Sequence, residues 1–361
     1  MIKILHYGLS SNRGGIETYL YKVYSEIDRS KFHFDFIDMT ANKPCFFKEF
    51  SKMGSHFYKI TPRKESILKY QMELNKLFKE NKPDIFHCHL NTLSDITPVL
   101  IALKHNCKVI VHSRSSQAPK SVITKILHSL NSLRIPKNKI TKIAVSKKAG
   151  IWLFGKNSDY HVINNGIDIA KFSYNKDMRK KWRDKLKFQD DLVIGHVGGL
   201  VEVKNHEFLL KVFNEILKLK HNAKLLLIGD GPLKNNLLER INEMGLANKV
   251  ILLGSREDVS DILNAMDLFI FPSIYEGFGS AILEAQTSGL PCLISESIPS
   301  DVVIADDCIQ KSLEEDAKEW ALKAIELSNE KKRSKGQEII EEQGYSVETE
   351  IKKIEKIYTT I

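Results

Sequence analysis

Glycines and a lysine in the second half of the chain follow apolar segments in an arrangement that suits a phosphate ester. Gly277 and Gly279 come after the apolar run Leu268–Phe271 and precede a short helical pattern. Glycines at the start of a helix let backbone amides approach an anion at the positive helix end. Lys204 follows an earlier apolar run and a Gly-Gly pair, where an ammonium group balances diphosphate charge. These residues predict a site for a phosphorylated ligand.

Two glutamates flank the glycine turn, Glu276 in the loop and Glu284 two helical turns later. Their separation along the chain is too large for both carboxylates to bind one metal ion. They suit opposite ends of one elongated ligand, and a carboxylate accepts two hydrogen bonds from a ribose diol. The alternative is a surface glutamate on an amphipathic helix, which the apolar neighbours Leu283 and Ala285 disfavour.

Weaker chemical signals lie elsewhere in the chain. Gly14-Gly15 opens a helical pattern after the first strand-like run, but it is not the GxGxxG fingerprint, so NAD binding is disfavoured. Gly229 ends another apolar run and predicts a tight turn near a ligand cleft. His87 and His89 straddle Cys88, which faces the other side of a strand, so a metal site there is a minority interpretation.

Short apolar runs rich in β-branched residues alternate with segments of helical spacing along the chain. The predicted strands are Ile2–Tyr7, Phe34–Asp38, Ile85–His87, Val109–His112, Ile143–Val145, His161–Ile163, Val193–Val197, Leu225–Ile228, Val250–Leu253, Leu268–Phe271 and Cys292–Ile294. This alternation predicts an α/β protein with two doubly wound, Rossmann-like domains that face each other across a cleft. Ligands in such sheets bind beyond the carboxyl ends of the strands.

The turn-forming cluster at residues 164–166 marks the predicted domain boundary. We assign residues 1–165 to an N-terminal Rossmann-like domain and residues 166–343 to a C-terminal Rossmann-like domain. Residues 344–361 predict a helix that packs back towards the N-terminal domain. The segment Asn165–Asp168 is the candidate hinge, because two such domains must close to exclude water from a reaction.

Charge is divided unevenly between the two halves. The chain of 361 residues has a net charge of +9, but residues 1–165 hold 27 Lys and Arg against 12 Asp and Glu, whereas the remainder holds 27 against 33. The basic half suits an anionic membrane surface or a phosphorylated substrate, or is a solvated lysine-rich surface. A nucleic-acid partner is disfavoured because no recognition motif accompanies the lysines.

Cysteines and hydropathy indicate the compartment. The five cysteines are widely spaced with no CxxC pair, which disfavours a disulfide framework or structural zinc and favours a reducing, cytoplasmic compartment. The first residues run directly into a strand-like segment, so we expect no signal peptide. The longest apolar stretches are far shorter than the ~20 residues that span a bilayer.

The segment from Lys120 to Lys139 predicts an amphipathic helix. Its apolar residues follow helical spacing: Val122, Ile123, Ile126, Leu127, Leu130 and Leu133. Its basic residues include Lys120, Lys125, Arg134 and Lys137. One interpretation is a helix that lies on an anionic membrane surface and helps to bind an acceptor. The other is an ordinary packing helix whose lysines face outwards.

The ordered set of motifs resembles the retaining glycosyltransferases of the GT-B fold, in the group called family 4, which builds bacterial capsular, exopolysaccharide and O-antigen chains. The matching segments are Gly14–Thr18, Asp84–His89, His112, Asn165–Asp168, Lys204–His206, Gly229–Pro232, Glu276–Glu284 and Gly289–Pro291. The resemblance implies a hexosyltransferase that is peripheral at the inner face of the cell membrane. It implies a nucleotide-sugar donor, here UDP-linked, that binds to residues 166–343, and a lipid-linked saccharide acceptor that binds to residues 1–165. It implies no cofactor or metal.

The resemblance also implies roles for individual residues. Glu284 would bind the ribose, and Glu276 with the amides of Phe278 to Ser280 would bind the donor sugar and its diphosphate. His112 would lie beside the reacting face of the sugar, which makes His112 and Glu276 the candidate catalytic residues. The remaining donor residues would be Gly15, Lys204, Gly229, Gly254, Arg256 and Gly277.

One position departs from the family pattern. The residue after Gly198 is usually an arginine that binds the diphosphate together with the lysine, and here it is Gly199. A lost charge-assisted contact is worth ~1.5–3 kcal/mol. Arg256 or Arg114 could supply the missing charge. Two alternatives therefore stay open: a sugar-nucleotide epimerase or hydrolase of the same fold, and a non-catalytic sugar-nucleotide-binding partner of an assembly complex.

Overall fold

The two predicted parallel sheets are present as two units in the computed structural model, which describes residues 1–116, 121–329, 333 and 335–361. The first unit comprises Met1–Asn165 and Val347–Ile361, and the second comprises Gly166–Ser346. The chain thus passes from one unit to the other after Asn165 and returns after Ser346. The predicted fold class, two doubly wound α/β units, is confirmed.

The first unit is built on a seven-stranded parallel sheet with the order β3-β2-β1-β4-β5-β6-β7. Its strands are Ile2–Tyr7 (β1), Phe32–Asp38 (β2), Phe57–Lys59 (β3), Ile85–Leu90 (β4), Lys108–Ser113 (β5), Thr141–Ala144 (β6) and His161–Val162 (β7). Its first helices are Gly15–Glu26 (α1), Phe47–Lys52 (α2), Ile67–Asn81 (α3), Thr97–Lys104 (α4), Val122–Arg134 (α5) and Lys147–Phe154 (α6). All six residues of β4 are buried, as expected for a central strand covered on both faces.

The second unit contains a six-stranded parallel sheet with the order β10-β9-β8-β11-β12-β13. Its strands are Leu192–Val197 (β8), Ala223–Ile228 (β9), Val250–Leu252 (β10), Leu268–Phe271 (β11), Cys292–Ser295 (β12) and Cys308–Lys311 (β13). Its helices are Ile169–Phe172 (α7), Lys176–Leu186 (α8), His206–Leu219 (α9), Lys234–Glu243 (α10), Val259–Leu263 (α11), Ser280–Thr287 (α12), Ala317–Asn329 (α13) and Gly336–Glu342 (α14), with 3-10 turns at Glu202–Lys204 and Ser300–Val302.

The last helix, Val347–Thr360 (α15), belongs to the core of the first unit. Ile354 and Tyr358 pack with the phenylalanines of β2. The carboxylate of Glu350 lies 2.5 Å from the ammonium of Lys22 on α1, and Glu350 is almost fully buried. A buried charge is costly unless it is paired, so this ion pair fixes α15 against α1.

Every strand predicted from the sequence overlaps a strand of the structure, but two strands were missed. The edge strands β3 and β13 are short and only partly buried, so neither shows the continuous apolar run that marks an interior strand. Among the described residues, no helix is long and apolar enough to cross a bilayer.

Candidate active site

The loop after β11 brings the predicted lysine and glutamate together. The backbone amide of Ile274 donates to the carbonyl of Val203 at 2.8 Å, which ties this loop to the 3-10 turn that ends at Lys204. Nζ of Lys204 then lies 2.5 Å from Oε1 of Glu276, and both side chains are largely buried. The ammonium also lies 4.6 Å from the centre of the Phe271 ring. The second unit therefore presents one partly desolvated positive charge, already paired, at the carboxyl end of its sheet.

The glycine turn places the start of α12 beside this ion pair. Gly279 precedes the helix with φ 97°, a left-handed conformation that favours glycine. Phe278 is buried, and its ring stacks on Tyr345 at 6.1 Å between ring centres, which anchors the turn. Ser280 is the exposed first residue of α12, and Glu284 lies one turn further in a partly buried position. The start of α12 thus follows Glu276, the partner of Lys204, by four residues, and amides at a helix start can bind an anion.

Gly229 has a packing role that its sequence position only partly indicates. Its φ is 145°, and a Cβ added there would lie 1.9 Å from the carbonyl oxygen of Gly198. The amide of Gly229 donates to the carbonyl of Gly254 at 2.9 Å. Gly229 thus lets the loops that follow three strands approach one another closely, and Lys204 lies beside one of them at Gly198.

A Cβ added at Gly199 would meet the carbonyl oxygen of Asp230 at 3.7 Å, an ordinary van der Waals contact. Both arginines considered as a replacement for the missing charge are bound by other groups. Arg256 is held by a bidentate ion pair with Asp258, with nitrogen–oxygen distances of 2.8 and 2.6 Å. Arg114 belongs to the first unit, where other groups bind it.

Two buried histidines near Lys204, His196 and His206, were given no role in the sequence analysis. His196 donates from Nδ1 to the carbonyl of Ile270 at 3.0 Å, and its ring meets that of His206 at 4.8 Å. Burial, followed by the neighbouring histidine and Lys204, lowers the pKa of His196 well below its usual value, and burial with Lys204 lowers the pKa of His206 to about 4. Both rings are therefore neutral, so neither adds to the positive charge of Lys204.

Gly15 is the first residue of α1 in the first unit, as predicted, and follows the N-cap residue Gly14. A Cβ added at Gly15 would meet no other described atom within 4 Å, so the space beside its Cα is open. Glu17 has a role that the sequence analysis did not assign. Its buried carboxylate accepts from the amide of Ser10 at 2.8 Å, which fastens the loop before α1. A carboxylate in the first helical turn is the available signal for this role.

His112 is fully buried at the end of β5 and is held at both ring nitrogens. Nδ1 lies 3.2 Å from Nε2 of His87, and Nε2 lies 3.2 Å from Nη1 of Arg114. Arg114 also donates to Oδ1 of Asn165 at 3.1 Å and lies 4.1 Å from the centre of the Tyr19 ring. Burial, then Arg114 and the neighbouring histidines, lowers the pKa of His112 well below its usual value. His112 is therefore a neutral group covered by a guanidinium.

Two groups of side chains have the donor set of a metal site. Ring nitrogens of His6, His87 and His89 lie within 4.8 Å of one another, and Cys88 lies outside this group, as predicted from strand geometry. His33, Asp35 and His56 form the other group at the opposite end of the sheet. In that second group both imidazoles already bind Oδ1 of the aspartate, at 3.0 and 3.3 Å. Hydrogen bonding to Asp35 therefore explains why His33 and His56 lie close to it.

Helix α5 is oriented with its apolar face towards solvent. Ile123 and Leu133 are 71% and 86% exposed. The polar face is the buried one: His128 accepts from the amide of Leu93 at 3.1 Å, and Asn131 donates to the carbonyl of Leu93 at 2.7 Å. The interpretation of an ordinary packing helix is wrong about the apolar face, which is exposed, although Lys125 and Arg134 do face outwards.

The basic residues predicted around α5 differ in their surroundings. Lys125 and Arg134 are exposed. The ammonium of Lys137 donates to the carbonyl of Phe154 at 3.0 Å, so it serves in part to attach α6. Lys120 lies outside the described residues.

The exposed apolar surface extends to α3. Ile67, Leu68 and Met72 are exposed on its first two turns. Arg63, just before α3, and Asn131 of α5 both donate to the carbonyl of Ser94, at 3.1 and 3.3 Å. The loop at Ser94 thus binds both α5 and the segment that precedes α3.

Comparison with known proteins gives two family matches that together span most of the chain. Residues 13–171 match the model described as Glycosyltransferase Family 4, and residues 178–345 match Glycosyl transferases group 1. A Bacillus subtilis (strain 168) protein named as a glycosyltransferase, EpsF, is 30% identical over 99% of this chain and 96% of its own length. The Escherichia coli protein named UDP-Gal:alpha-D-GlcNAc-diphosphoundecaprenol alpha-1,3-galactosyltransferase is 30% identical over 63% of this chain and 62% of its own.

Solved structures show the same fold. Anabaena Alr3699/HepE in complex with UDP superposes with a TM-score of 0.82, 17% sequence identity and coverage of 100% of both chains. At this identity the likeness concerns the fold alone.

Proposed function

Because this chain belongs to the glycosyltransferases of the GT-B fold and the family 4 group, we propose that it is a retaining, metal-independent hexosyltransferase that uses a UDP-linked sugar. The observation that carries the proposal is the partly buried Lys204–Glu276 pair beside the glycine turn at the start of α12. A preorganised ammonium and helix-start amides stabilise the charge that develops on a leaving diphosphate.

The reaction breaks the bond between the anomeric carbon and a diphosphate oxygen, and the bonding electrons go to that oxygen. A hydroxyl of the acceptor forms the new bond on the same face of the sugar, and its proton passes to the leaving phosphate. Lys204 must turn from Glu276 towards the phosphate for this purpose, which leaves the carboxylate of Glu276 available to the donor sugar. His112, held neutral, neither gives nor takes a proton in this scheme.

The proposed donor and acceptor draw on the relatives. The Escherichia coli relative is named for a UDP-linked galactose donor and a diphosphoundecaprenol-linked acceptor, and the Anabaena neighbour was solved with UDP. A lipid diphosphate is anionic and membrane-bound, which suits the excess of lysine and arginine in residues 1–165.

We further propose that the first unit docks on an anionic membrane through the apolar residues of α5 and α3. An apolar helix face rimmed by basic residues inserts into the boundary between headgroups and acyl chains. The exposed Lys125 and Arg134 supply charge at the ends of the apolar face of α5. The enzyme would then meet its lipid-linked acceptor at the inner face of the cell membrane.

The test is transfer of radiolabelled sugar from a panel of UDP-sugars to undecaprenyl-diphosphate-linked saccharides, with and without a chelator. We expect label in the lipid fraction, unchanged rates with chelator, and retained anomeric configuration by NMR. Lys204→Met should lower transfer by about ten- to a hundredfold, since one charge-assisted contact is lost. The matched control is Lys211→Met, an exposed lysine on α9. A product of inverted configuration, or activity abolished by the chelator, would contradict the proposal.

A second candidate is a non-catalytic sugar-nucleotide-binding partner, which Gly199 favours because the loop lacks the usual arginine. UDP binding with no turnover of any donor would support this alternative. Donor turnover without transfer to an acceptor would instead support an epimerase or hydrolase.

A further inference from the structure

A line of hydrogen-bonded side chains crosses the interior of the first unit and ends at the candidate catalytic histidine. The hydroxyl of Tyr358 on α15 lies 2.7 Å from Nδ1 of His87 on β4. Nε2 of His87 lies 3.2 Å from Nδ1 of His112 on β5, and Nε2 of His112 lies 3.2 Å from Nη1 of Arg114. Arg114 reaches Oδ1 of Asn165 at 3.1 Å with its other terminal nitrogen. We call these residues the histidine line.

Arg114, at one end of the histidine line, determines which ring nitrogen of His112 and of His87 carries the proton. A guanidinium only donates, so Nε2 of His112 must accept and its proton must be on Nδ1. That proton is donated to Nε2 of His87, whose own proton is therefore on Nδ1. His87 then donates to the hydroxyl oxygen of Tyr358. A neutral imidazole has one donor and one acceptor, so reversing either ring would place two donors or two acceptors against each other.

The surroundings of His112 oppose its protonation. The rings of His87 and His89 lie 5.3 Å from it on β4, and Tyr19 of α1 meets it edge-on at 5.5 Å. His6 on β1 and Arg114 add repulsion to an imidazolium charge. Burial lowers the pKa of Arg114, whereas Tyr19, Glu350 and Glu17 act in the opposite direction, and a guanidinium stays charged in proteins.

We infer that Arg114, His87 and Tyr358 are positioning residues that hold His112 as the neutral tautomer protonated on Nδ1. Its catalytic meaning rests on the proposed function: His112 contributes a fixed neutral dipole to the transfer site and acts as neither acid nor base. The tautomer itself does not depend on that function. The line also excludes the trihistidine metal site, since both nitrogens of His87 are already used.

The tautomer can be read directly by long-range proton–nitrogen NMR correlation of the full chain with ¹⁵N-labelled histidine. We expect His112 and His87 to show a protonated Nδ1 and an unprotonated Nε2 between about pH 6 and pH 8, where a free histidine titrates. A His112 protonated on Nε2, or an imidazolium in this range, would overturn the inference. So would loss of the His87 pattern on addition of Zn²⁺ alone, because a bound ion would show that its nitrogens are not committed to the line.

Variants distinguish effects of the ring-proton positions in the histidine line from effects of packing. Arg114→Met removes the donor that sets the direction, so a population with the proton on Nε2 should appear in both rings. Arg114→Lys keeps a donor that cannot accept and should restore the original tautomer. Tyr358→Phe should shift the Nδ1 proton of His87, whereas Tyr24→Phe, a buried tyrosine of the same core that hydrogen-bonds Met53, should leave both rings unchanged.

Activity provides a second readout that a purely structural role would not give. With one neutral hydrogen bond lost, Tyr358→Phe should lower kcat by about two- to tenfold, with little change in KM for the donor. Any ionisation in the pH profile of kcat for the unmodified protein should have the same pKa in the Arg114→Lys variant. If the spectra agree and no transfer occurs, the proposed function fails alone. If transfer occurs with the other tautomer, the inference fails alone.

Discussion

At the scale of single residues, the ion pair between Lys204 and Glu276 decides how the proposed donor site works. The two side chains are largely buried and lie 2.5 Å apart. A diphosphate must therefore compete with Glu276 for the ammonium. The carboxylate weakens nucleotide binding while it keeps Lys204 in place, and it becomes available to the sugar only when the phosphate has taken its partner.

This competition predicts opposite effects on binding and turnover for Glu276→Gln. UDP should bind about five- to tenfold more tightly, because competition by the carboxylate weakens binding by about 1 kcal/mol and the variant removes it. Sugar transfer should fall, because the carboxylate that contacts the donor is lost. Isothermal titration calorimetry and transfer assays measure the two effects. Glu207→Gln, an exposed ion-paired glutamate on α9, is the control, and weaker UDP binding in Glu276→Gln would show that the carboxylate binds nucleotide itself.

Gly199 predicts a gain of affinity on substitution. A Cβ at this position makes only an ordinary contact, 3.7 Å from the carbonyl oxygen of Asp230, so we expect the backbone to accept Gly199→Arg. A new charge-assisted contact to the diphosphate should tighten UDP binding by about tenfold or more, measured by calorimetry. Unchanged affinity would show that the diphosphate does not pass this loop.

Gly229 is the matched contrast to Gly199. A Cβ there would lie 1.9 Å from a backbone oxygen, and its φ is 145°. Gly229→Ala should therefore destabilise the second unit by about 1–3 kcal/mol, measured by urea unfolding. Gly199→Arg should leave the free energy of unfolding nearly unchanged.

At the scale of elements, α5 is attached to its unit by hydrogen bonds and exposes its apolar residues. Removing those apolar side chains should cost little stability, because Ile123 and Leu130 are 71% and 54% exposed. The same change should weaken binding to a membrane, since burying each such side chain contributes about 1.5–3 kcal/mol. Stability and vesicle binding are therefore separable in this helix.

The double variant Ile123→Gln with Leu130→Gln should reduce co-sedimentation with anionic vesicles by at least about tenfold. Its urea unfolding curve should match that of the unmodified protein. Leu322→Gln, a similarly exposed leucine on α13 of the second unit, is the control. Retention of full vesicle binding by the double variant, or binding that ignores ionic strength, would contradict docking through this helix.

At the scale of the whole molecule, buried neutral histidines make the two units unequal in acid. Among the buried histidines whose pKa is lowered most, the first unit holds His6, His87, His89 and His112, and the second holds His196 and His206. Burial lowers the pKa of His6 to about 3 and of His206 to about 4, and the pKa values of the other four lie well below the usual value. Below about pH 6.5 the unfolded chain takes up protons that the folded chain does not, so stability falls as pH falls.

The first unit should therefore lose stability more steeply between about pH 6 and pH 4, by about 1 kcal/mol per pH unit for each buried histidine. Tryptophan fluorescence can follow each unit, since Trp152 is in the first unit and Trp182 and Trp320 are in the second. Urea unfolding of single-tryptophan variants at several pH values gives the two slopes. Equal slopes, or a steeper slope for the second unit, would contradict this assignment.

Features that depend on neighbours in the chain were predictable from the residues alone. Local apolar periodicity and glycine placement predict the turn at Gly277–Gly279, the start of α12 and the positions of the interior strands along the chain. The proximity of Lys204 to Glu276 followed only in general terms, because parallel strands bring their carboxyl ends to one edge of a sheet. The edge strands β3 and β13 escaped because a half-covered strand leaves little periodic trace.

Long-range packing decided the rest. Tyr358 is 271 residues from His87, and their contact exists because α15 returns to the core of the first unit. Likewise, the spacing of apolar residues in α5 reveals an amphipathic helix but not which face is buried. That choice is made by the amide and carbonyl groups of the loop at Leu93, since buried backbone groups require partners and His128 and Asn131 supply them.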